Sequence, residues 1–281
     1  MSRGKPSPEK CPAPFLKWAG GKRQLLPALM AHLPERIGNY HEPFLGGGAL
    51  FFALVRAGLL AGHKAFLSDT NPELIAAYRA IQHDVEAVIS CLRRHRHDRA
   101  EFYRVREQDW RALSPPEAAA RTIYLNRTGF NGLYRVNRQG RFNVPFGRYK
   151  NPRFCDEDNL RAVSRALRKA KLCQEPFERV LARTQRGDLV YFDPPYVPLS
   201  PTASFVSYAK DGFSLEYQER LAEAFEELTH RGVHVMLSNS AVPWVRRRYQ
   251  GHRIHEVLAR RNVNSKAERR GPIKELLITS Y

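Results

Sequence analysis

The chain has 281 residues, 43% of them hydrophobic, with 46 Lys and Arg against 28 Asp and Glu and a formal net charge of +18. That length suits one large α/β domain with room for a smaller insertion, and that charge favours a polyanionic partner, either nucleic acid or an anionic membrane surface. No apolar run approaches the roughly 20 residues that span a bilayer, the amino terminus lacks the apolar stretch of a secretory signal, and Cys11, Cys91, Cys155 and Cys173 show no C-x2-4-C spacing. A membrane span, export and a zinc site are therefore not expected, and free thiols in a reducing cytoplasm are.

Residues 1–12, with Pro6, Pro8 and Pro12, read as a flexible arm. Gly21 to Leu33 reads as a helix, with Leu25, Leu26, Leu29 and Leu33 at helical spacing. Just before it, Phe15-Leu16-Lys17-Trp18-Ala19-Gly20-Gly21-Lys22 sets an aromatic ring and cations beside a helix start. That suits the carboxylate of a small ligand, although a plain helix start fits as well. A phosphate loop is rejected, since it needs Ser or Thr after the lysine and a wider glycine spacing.

Tyr40 to Pro43 reads as a short strand running into Phe44-Leu45-Gly46-Gly47-Gly48, followed by a helix from Ala49 to Ala57. Glycines at such a corner let a ligand approach the backbone. Phe51 stands where a dinucleotide fingerprint has its third glycine, so the loop suits a nucleoside but not hydride transfer. Ala65 to Ser68 reads as a second strand ending at Asp69, 21 residues after Gly48. A carboxylate there can accept hydrogen bonds from both ribose hydroxyls. Asn71 to Ser90 reads as mostly helix.

The strand–helix alternation stops between about Pro72 and Asp156, which marks an insertion. From Ala118 to Cys155 there is no Asp or Glu, while Arg121, Arg127, Arg135, Arg138, Arg141, Arg148, Lys150 and Arg153 interleave with Tyr124, Phe130, Tyr134, Phe142, Phe146 and Tyr149. With turn signals at Asn131-Gly132 and Gln139-Gly140, this suggests a hairpin pressed against nucleic acid. The alternative is a basic surface loop over buried aromatics. His95 and His97, flanking Arg96, read as a solvated helix face.

The α/β pattern then returns. Asp158 to Ala170 reads as a helix and Leu189 to Phe192 as a fully buried strand. Ser214 suits the N-cap of a helix with Leu221, Phe225 and Leu228 on one face. Val233 to Leu237 reads as another buried strand, ending at Ser238-Asn239, and Glu275 to Tyr281 as a last one. After Phe192 come Asp193-Pro194-Pro195-Tyr196. The prolines forbid the strand from continuing, so an acid, a peptide carbonyl and an aromatic ring stand at a strand's carboxyl end, where open α/β sheets build their sites. The carboxylate and carbonyl suit an exocyclic NH2 group, and the ring suits stacking on a base. As a bare string the segment also fits a turn whose Asp caps the next helix.

The order Phe15 to Lys22, then Phe44-x-Gly46-x-Gly48, then Asp193-Pro194-Pro195-Tyr196 resembles the alpha group of amino-methyltransferases that act on adenine N6 in DNA, and within it the DNA adenine methylases that modify GATC. The segment Tyr124 to Lys150 is similar to their target-recognition hairpin almost throughout, and the resemblance runs from about Pro14 to Tyr281. It implies a Rossmann-like mixed sheet (residues 13–71 and 157–281) binding S-adenosylmethionine, with an inserted, mainly helical target-recognition domain (residues 72–156) carrying a β-hairpin. Trp18, Lys22, Phe44, Gly46, Gly48, Asp69, Phe177 and Asp193 are implied along the cofactor, Lys22 near its carboxylate, Asp69 at the ribose and Phe177 beside the adenine. Asp193, the Pro194 carbonyl and Tyr196 are implied as the catalytic set on an adenine flipped out of double-stranded DNA.

For readout the resemblance implies Arg135 on one guanine, Lys17 on the other, Leu133 and Pro145 near a thymine methyl, Phe130 wedged beside the flipped base and Asn131 next to it. Arg127, Asn137, Asn143 and Arg148 are implied at phosphates, where contacts position without specifying. The family often has Tyr where this chain has Phe130, and the loop has Gly47 in its middle. Asp193 rather than Ser before Pro-Pro-Tyr argues against cytosine N4 as the acceptor, and no motif shows the damage expected of an inactive relative. No metal is required, and a monomer in the cytoplasm is expected.

Overall fold

The computed structural model describes residues 10–18, 20, 22–197, 214–260 and 272–281. Residues 1–9 of the expected arm lie outside them, as do Ala19 and Gly21. The architecture is α/β around a mixed, mostly parallel sheet of seven strands: β1 (Tyr40–Glu42), β2 (Ala65–Asp69), β3 (Ala170–Gln174), β4 (Leu189–Phe192), β5 (His234–Ser240), β6 (Arg253–Arg260) and β7 (Pro272–Thr279), in the order β3-β2-β1-β4-β5-β7-β6. β1 pairs in parallel with β2 (Tyr40 opposite Ala65) and with β4 (Tyr40 opposite Leu189), and β4 with β5 (Leu189 opposite His234). β7 is antiparallel to both β5 and β6.

By internal contacts the chain forms two compact units: the described parts of residues 1–21 with 46–59 and 71–174, and residues 22–45 and 60–70 with the described parts of 175–281. In the second unit all four residues of β4 are buried, as are six of the seven of β5. This is the unalternating burial of a parallel strand covered on both faces. Helix α8 (Leu215–His230) supplies Leu221, Phe225 and Leu228 to a core shared with Val190, Phe192, Val235, Leu237 and Ile278. The Ser214 side chain accepts from the Tyr217 amide at 3.4 Å, the N-cap expected of it. This unit also holds the short helices α1 (Leu26–Ala31) and α9 (Pro243–Arg248).

The first unit is helical apart from β3, with α2 (Ala49–Arg56), α3 (Pro72–His83), α4 (Val85–Arg93), α5 (Arg99–Glu107), α6 (Pro115–Thr128) and α7 (Glu157–Leu167). Side-chain caps set the helix starts: Asn71 for α3, Asp84 for α4, Asp98 for α5 and Asp156 for α7, with a Ser114–Glu117 capping box for α6. The helix expected over residues 71–90 therefore breaks at Asp84, whose carboxylate takes the Ala87 amide. The helix expected over 21–33 is a 3-10 turn (Lys22–Gln24) followed by α1, which has Pro27 in its first turn. The helix expected to run to Ala170 stops at Leu167, and Ala170 opens β3, which the pattern does not announce. β5 runs on through Ser240, and β7 begins at Pro272 rather than Glu275. The expected hairpin is a loop closed by isolated antiparallel bridges, Gly129 to Phe146 and Val136 to Phe142, rather than a two-stranded ribbon.

At the amino-terminal edge of β1 and β4, Asp188 accepts from His41 Nε2 at 3.0 Å and from the amides of Asn39 (2.8 Å) and Gln185 (3.0 Å). Burial pushes its carboxyl up, but the bonds from His41, Gln185 and Asn39 outweigh that and hold it below the ordinary value. A depressed carboxyl stabilises the fold above its unfolded pKa of about 3.9, and the gain is lost as pH falls through the lower folded value. Asp188→Asn is therefore expected to cost about 3 kcal/mol at neutral pH. The penalty should shrink at pH 3 and below, as read from urea midpoints at both pH values.

Candidate active site

In the second unit, three motif residues follow or end adjacent parallel strands at one edge of the sheet. Asp69 ends β2, Phe44 lies two residues past β1, and Asp193 directly follows β4. The carboxyl edge of neighbouring parallel strands is where an open α/β sheet leaves a crevice. Phe44 stacks on Phe177 (centroids 5.5 Å, 25° between planes), and both meet Phe192 edge-on at 6.2 Å. Phe177 begins a 3-10 segment (Phe177–Ala182) and is buried. The Asp69 backbone carbonyl accepts from the Glu175 amide at 3.2 Å, and its side chain is half-buried.

The Asp193 loop is held on several sides. The Pro195 carbonyl accepts from Gln218 Nε2 at 2.8 Å, and Gln218 Oε1 accepts from Asn239 Nδ2 at 3.1 Å. Asn239 Oδ1 in turn accepts from the Val197 amide at 3.2 Å, and Ser240 Oγ donates to the Val197 carbonyl at 2.6 Å. Gln218 from α8 and Asn239 from β5 are both buried, so these bonds replace water that the loop has lost. Tyr196 donates its hydroxyl to Glu275 Oε2 at 2.7 Å. Lys22 Nζ lies 2.8 Å from Asp193 Oδ1 and 4.6 Å from the Tyr196 ring centroid, so one ammonium faces both a carboxylate and a π-face.

Burial raises the Asp193 carboxyl above the ordinary aspartate range; Lys22 pulls it back and Glu275 pushes it further up. Burial and then the charge of Asp193 drive the Tyr196 phenol well upward, so it stays a neutral donor. Gln218, Asn239 and Glu275 carry no motif, and only the position of Asn239 at the end of an apolar strand pointed to it.

In the first unit, Trp18 and Gly46 are brought together. A Cβ on Gly46 would sit 2.7 Å from Trp18 Cδ1, and its φ of +47° also favours glycine. Gly48 is the N-cap of α2. Trp18 stacks on Tyr134 (5.1 Å, 27°).

The segment expected to carry recognition leaves α6 at Gly129 and makes one 3-10 turn, Phe130–Gly132. Phe130 is 46% exposed, and its amide donates to the Pro145 carbonyl at 2.8 Å. Asn131 has φ +53°, alone in this among the described non-glycine residues, a conformation that asparagine tolerates better than most. Arg135, exposed, donates from Nε to Asn143 Oδ1 at 2.7 Å and from Nη2 to the Asn143 carbonyl at 3.3 Å, so Asn143 braces a guanidinium. Asn137 Oδ1 accepts from the amides of Gln139 and Arg141, both at 3.0 Å, and shapes the turn. Arg127 Nε donates to the Arg153 carbonyl at 3.2 Å. Leu133 is half-buried, and Pro145 and Arg148 are exposed. Lys17 Nζ lies 4.0 Å over the Tyr149 ring.

Not every basic or aromatic residue of the stretch faces outward. Arg121 is 3% exposed, bonded to Glu73 at 2.8 Å, and Tyr124 and Phe142 belong to the core. The sequence reading also passed over Asn126. Its Oδ1 accepts from the Lys17 amide at 2.7 Å, and its Nδ2 donates to the carbonyls of Lys17 (2.7 Å) and Gly132 (3.0 Å). One buried amide thus ties the Lys17–Trp18 segment to the turn before Leu133. A Cβ on Gly132 would lie 2.3 Å from Lys17 Cδ, so only glycine admits that approach.

The model of one family, described as D12 class N6 adenine-specific DNA methyltransferase, matches residues 18–263. The chain belongs to that family. It is therefore an adenine-specific DNA methyltransferase that takes its methyl group from S-adenosylmethionine. It is 44% identical to Type II methyltransferase M1.LlaDCHI of Lactococcus lactis subsp. cremoris over 95% of each chain. It is 42% identical to Type II methyltransferase M.MjaIII of Methanocaldococcus jannaschii, over 95% of this chain and 99% of that one. It is 36% identical to DNA adenine methylase of Escherichia coli strain K12, over 94% and 93%. No helix among the described residues of the methyltransferase is long and apolar enough to cross a membrane.

Asn126→Ala leaves two backbone carbonyls and one amide without their partner. With each hydrogen bond worth about 1 kcal/mol net, the expected loss is about 2–3 kcal/mol of unfolding free energy, measured by urea titration at constant m-value.

Proposed function

We propose that this methyltransferase methylates adenine N6 within GATC in double-stranded DNA, acting as a monomer on a base flipped out of the helix. The observation that carries the reading is the clamped Asp193-Pro194-Pro195-Tyr196 loop after β4, with Lys22 2.8 Å from the Asp193 carboxylate. The residues fit the cofactor by their chemistry. Gly46 leaves its Cβ space to Trp18, Phe44 and Phe177 offer stacked rings for an adenine, Asp69 offers a carboxylate for ribose hydroxyls, Gly48 adds a second glycine to that corner, and Lys22 supplies a cation for the methionine carboxylate. S-adenosylmethionine supplies a methyl group activated on a sulfonium, and the protein supplies orientation and electrostatics.

A base inside a duplex is out of reach, so flipping precedes transfer. Tyr196, its hydroxyl fixed by Glu275, stacks on the extrahelical adenine. The Asp193 carboxylate and the Pro194 carbonyl accept hydrogen bonds from the N6 amine, which fixes the amine and directs its lone pair at the methyl carbon. Phe130, exposed at the start of the turn, fills the space left in the stack, with Asn131 beside it.

Residues 72–156 act as the target-recognition domain inserted in the catalytic one (13–71 and 157–281), and the bridged loop takes the place of the expected hairpin. Arg135, braced by Asn143, reads one guanine through O6 and N7. Lys17 reads the other, and Leu133 and Pro145 contact the thymine methyl. Arg127, Asn137, Asn143 and Arg148 lie along phosphates, Asn137 and Asn143 with their side-chain oxygens already used within the loop. The DNA adenine methylase relatives, at 36–37% identity, support the same substrate class.

Two experiments test this. Labelled methyl transfer to duplexes that differ only in having GATC or GTTC is expected to mark the first alone, recovered as N6-methyladenine. Arg135→Ala should cost about 1–3 kcal/mol of discrimination at one base; equal labelling of both duplexes by the wild type, or unchanged base choice in the variant, overturns the assignment. The raised Asp193 carboxyl sets the second. It accepts from N6 most strongly when ionised, so the acid limb of kcat/KM, which reports the free enzyme, should lie above the ordinary value of about 3.9. Lys22 favours the ionised form, so Lys22→Met should move that limb to higher pH, and a limb that stays or falls removes Asp193 from this role.

A further inference from the structure

Tyr134 stands between Leu133 and Arg135 in the chain, yet its side chain does not share their surroundings. Its ring stacks on Trp18 at 5.1 Å, and its hydroxyl donates to Glu73 Oε2 at 2.8 Å. The Asn71 side chain hydrogen-bonds the same phenol. Glu73 Oε1 accepts from Arg121 Nη1 at 2.8 Å and Thr122 Oγ1 at 2.7 Å, and Glu73 and Arg121 are each 3% exposed. Arg121 also donates to the carbonyls of Val105 and Arg106. A buried carboxylate with this set of donors is fixed: Arg121 balances its charge, and the Thr122 and Tyr134 hydroxyls take up its remaining lone pairs. The phenol is thus tied to the first turn of α3, two to four residues after Asp69. Trp18 in turn is closed in by Gly46, where even a methyl group would collide with the indole.

We infer that Tyr134 is a positioning residue that couples DNA recognition to S-adenosylmethionine binding, so that each ligand tightens the other. The inference rests on the reading above, in which Leu133 and Arg135 face DNA and Trp18 faces the cofactor. A loop drawn into the major groove by Leu133 and Arg135 carries the Tyr134 backbone with it. The hydroxyl is anchored, so the ring turns against Trp18 instead of slipping past it. An indole placed by the cofactor resists the same motion from the other side. Coupling of this kind is reciprocal by linkage, and its free energy resides in one stacked pair and one hydrogen bond.

The test is calorimetric, with S-adenosylhomocysteine as a non-reactive ligand, titrated with and without a duplex that the wild type methylates. The wild type is expected to bind it at least about five-fold tighter with the duplex present. Tyr134→Leu should bring that ratio below about two. Tyr134→Phe keeps the stack and leaves Glu73 bonded to Arg121 and Thr122; its ratio should fall by about half, and it decides the question alone should Tyr134→Leu not fold. A merely structural role would weaken both affinities and leave their ratio. A wild-type ratio near one, or a wild-type ratio retained in the variants, overturns the coupling. Arg135→Ala separates this from the reading beneath it: if that variant loses base discrimination while the Tyr134 variants keep the ratio, the coupling alone is wrong; if Arg135→Ala changes nothing, both fall.

Discussion

The 2.8 Å contact between Lys22 and Asp193 organises the candidate site within the second unit. Burial pushes the Asp193 carboxyl upward, and Glu275, bonded to Tyr196, adds a second negative charge that pushes the same way. One ammonium therefore offsets two acids and a lost hydration shell. It does so from a 3-10 turn, while the aspartate follows the most buried strand. The arrangement makes Asp193 responsive: its ionisation depends on a cation that also faces the Tyr196 ring. A carboxylate set in a polar, solvated loop would lack that dependence and would accept hydrogen bonds less strongly.

The loop around this pair is rigid for a reason that lies outside it. Two prolines remove two amide donors and fix two φ angles, but they cannot aim the chain. Gln218 and Asn239 do that, from α8 and β5, by taking the Pro195 carbonyl and the Val197 amide. Both amides are buried and bonded to each other. Removing either leaves the other unsatisfied, and so the loop geometry is tied to the packing of α8 on the sheet.

How much of this is legible in the sequence depends on the range of the interaction. β4, the Asp193 turn, the Ser214 cap and the glycine corner are set by neighbours a few residues away, and they stand where the pattern puts them. β3 and β6 do not announce themselves. β3 has a single fully buried residue, Leu172, in Ala170–Gln174, and β6, Arg253–Arg260, mixes four polar with four apolar residues along an edge. Such strands are specified by what they pair with rather than by a pattern of their own. The buried Glu73–Arg121 pair is the sharper case. Composition counts Arg121 among the basic residues of a nucleic-acid surface, whereas α6 is buried on every side, each residue from Ala118 to Asn126 included, and Arg121 is buried with them.

That misplaced arginine bears on what the net charge of +18 means. Several of the 46 cations are committed within the fold: Arg121 to Glu73, Arg161 to Glu86, Arg93 to Glu157, Arg104 to Glu101, Lys22 to Asp193. The surplus remains large, and it draws any polyanion to the surface in a salt-dependent, sequence-blind way. Choice among sequences needs side chains whose geometry is fixed before contact. The loop after α6 carries such restraints: a left-handed Asn131, a glycine that admits Lys17, an amide at Asn126 spent wholly on backbone, and an Asn143 that holds a guanidinium. Each of these restrains a neighbour, so in the proposed readout less conformational entropy remains to be lost on binding. On the proposed readout, attraction is a property of composition, and discrimination a property of restraint.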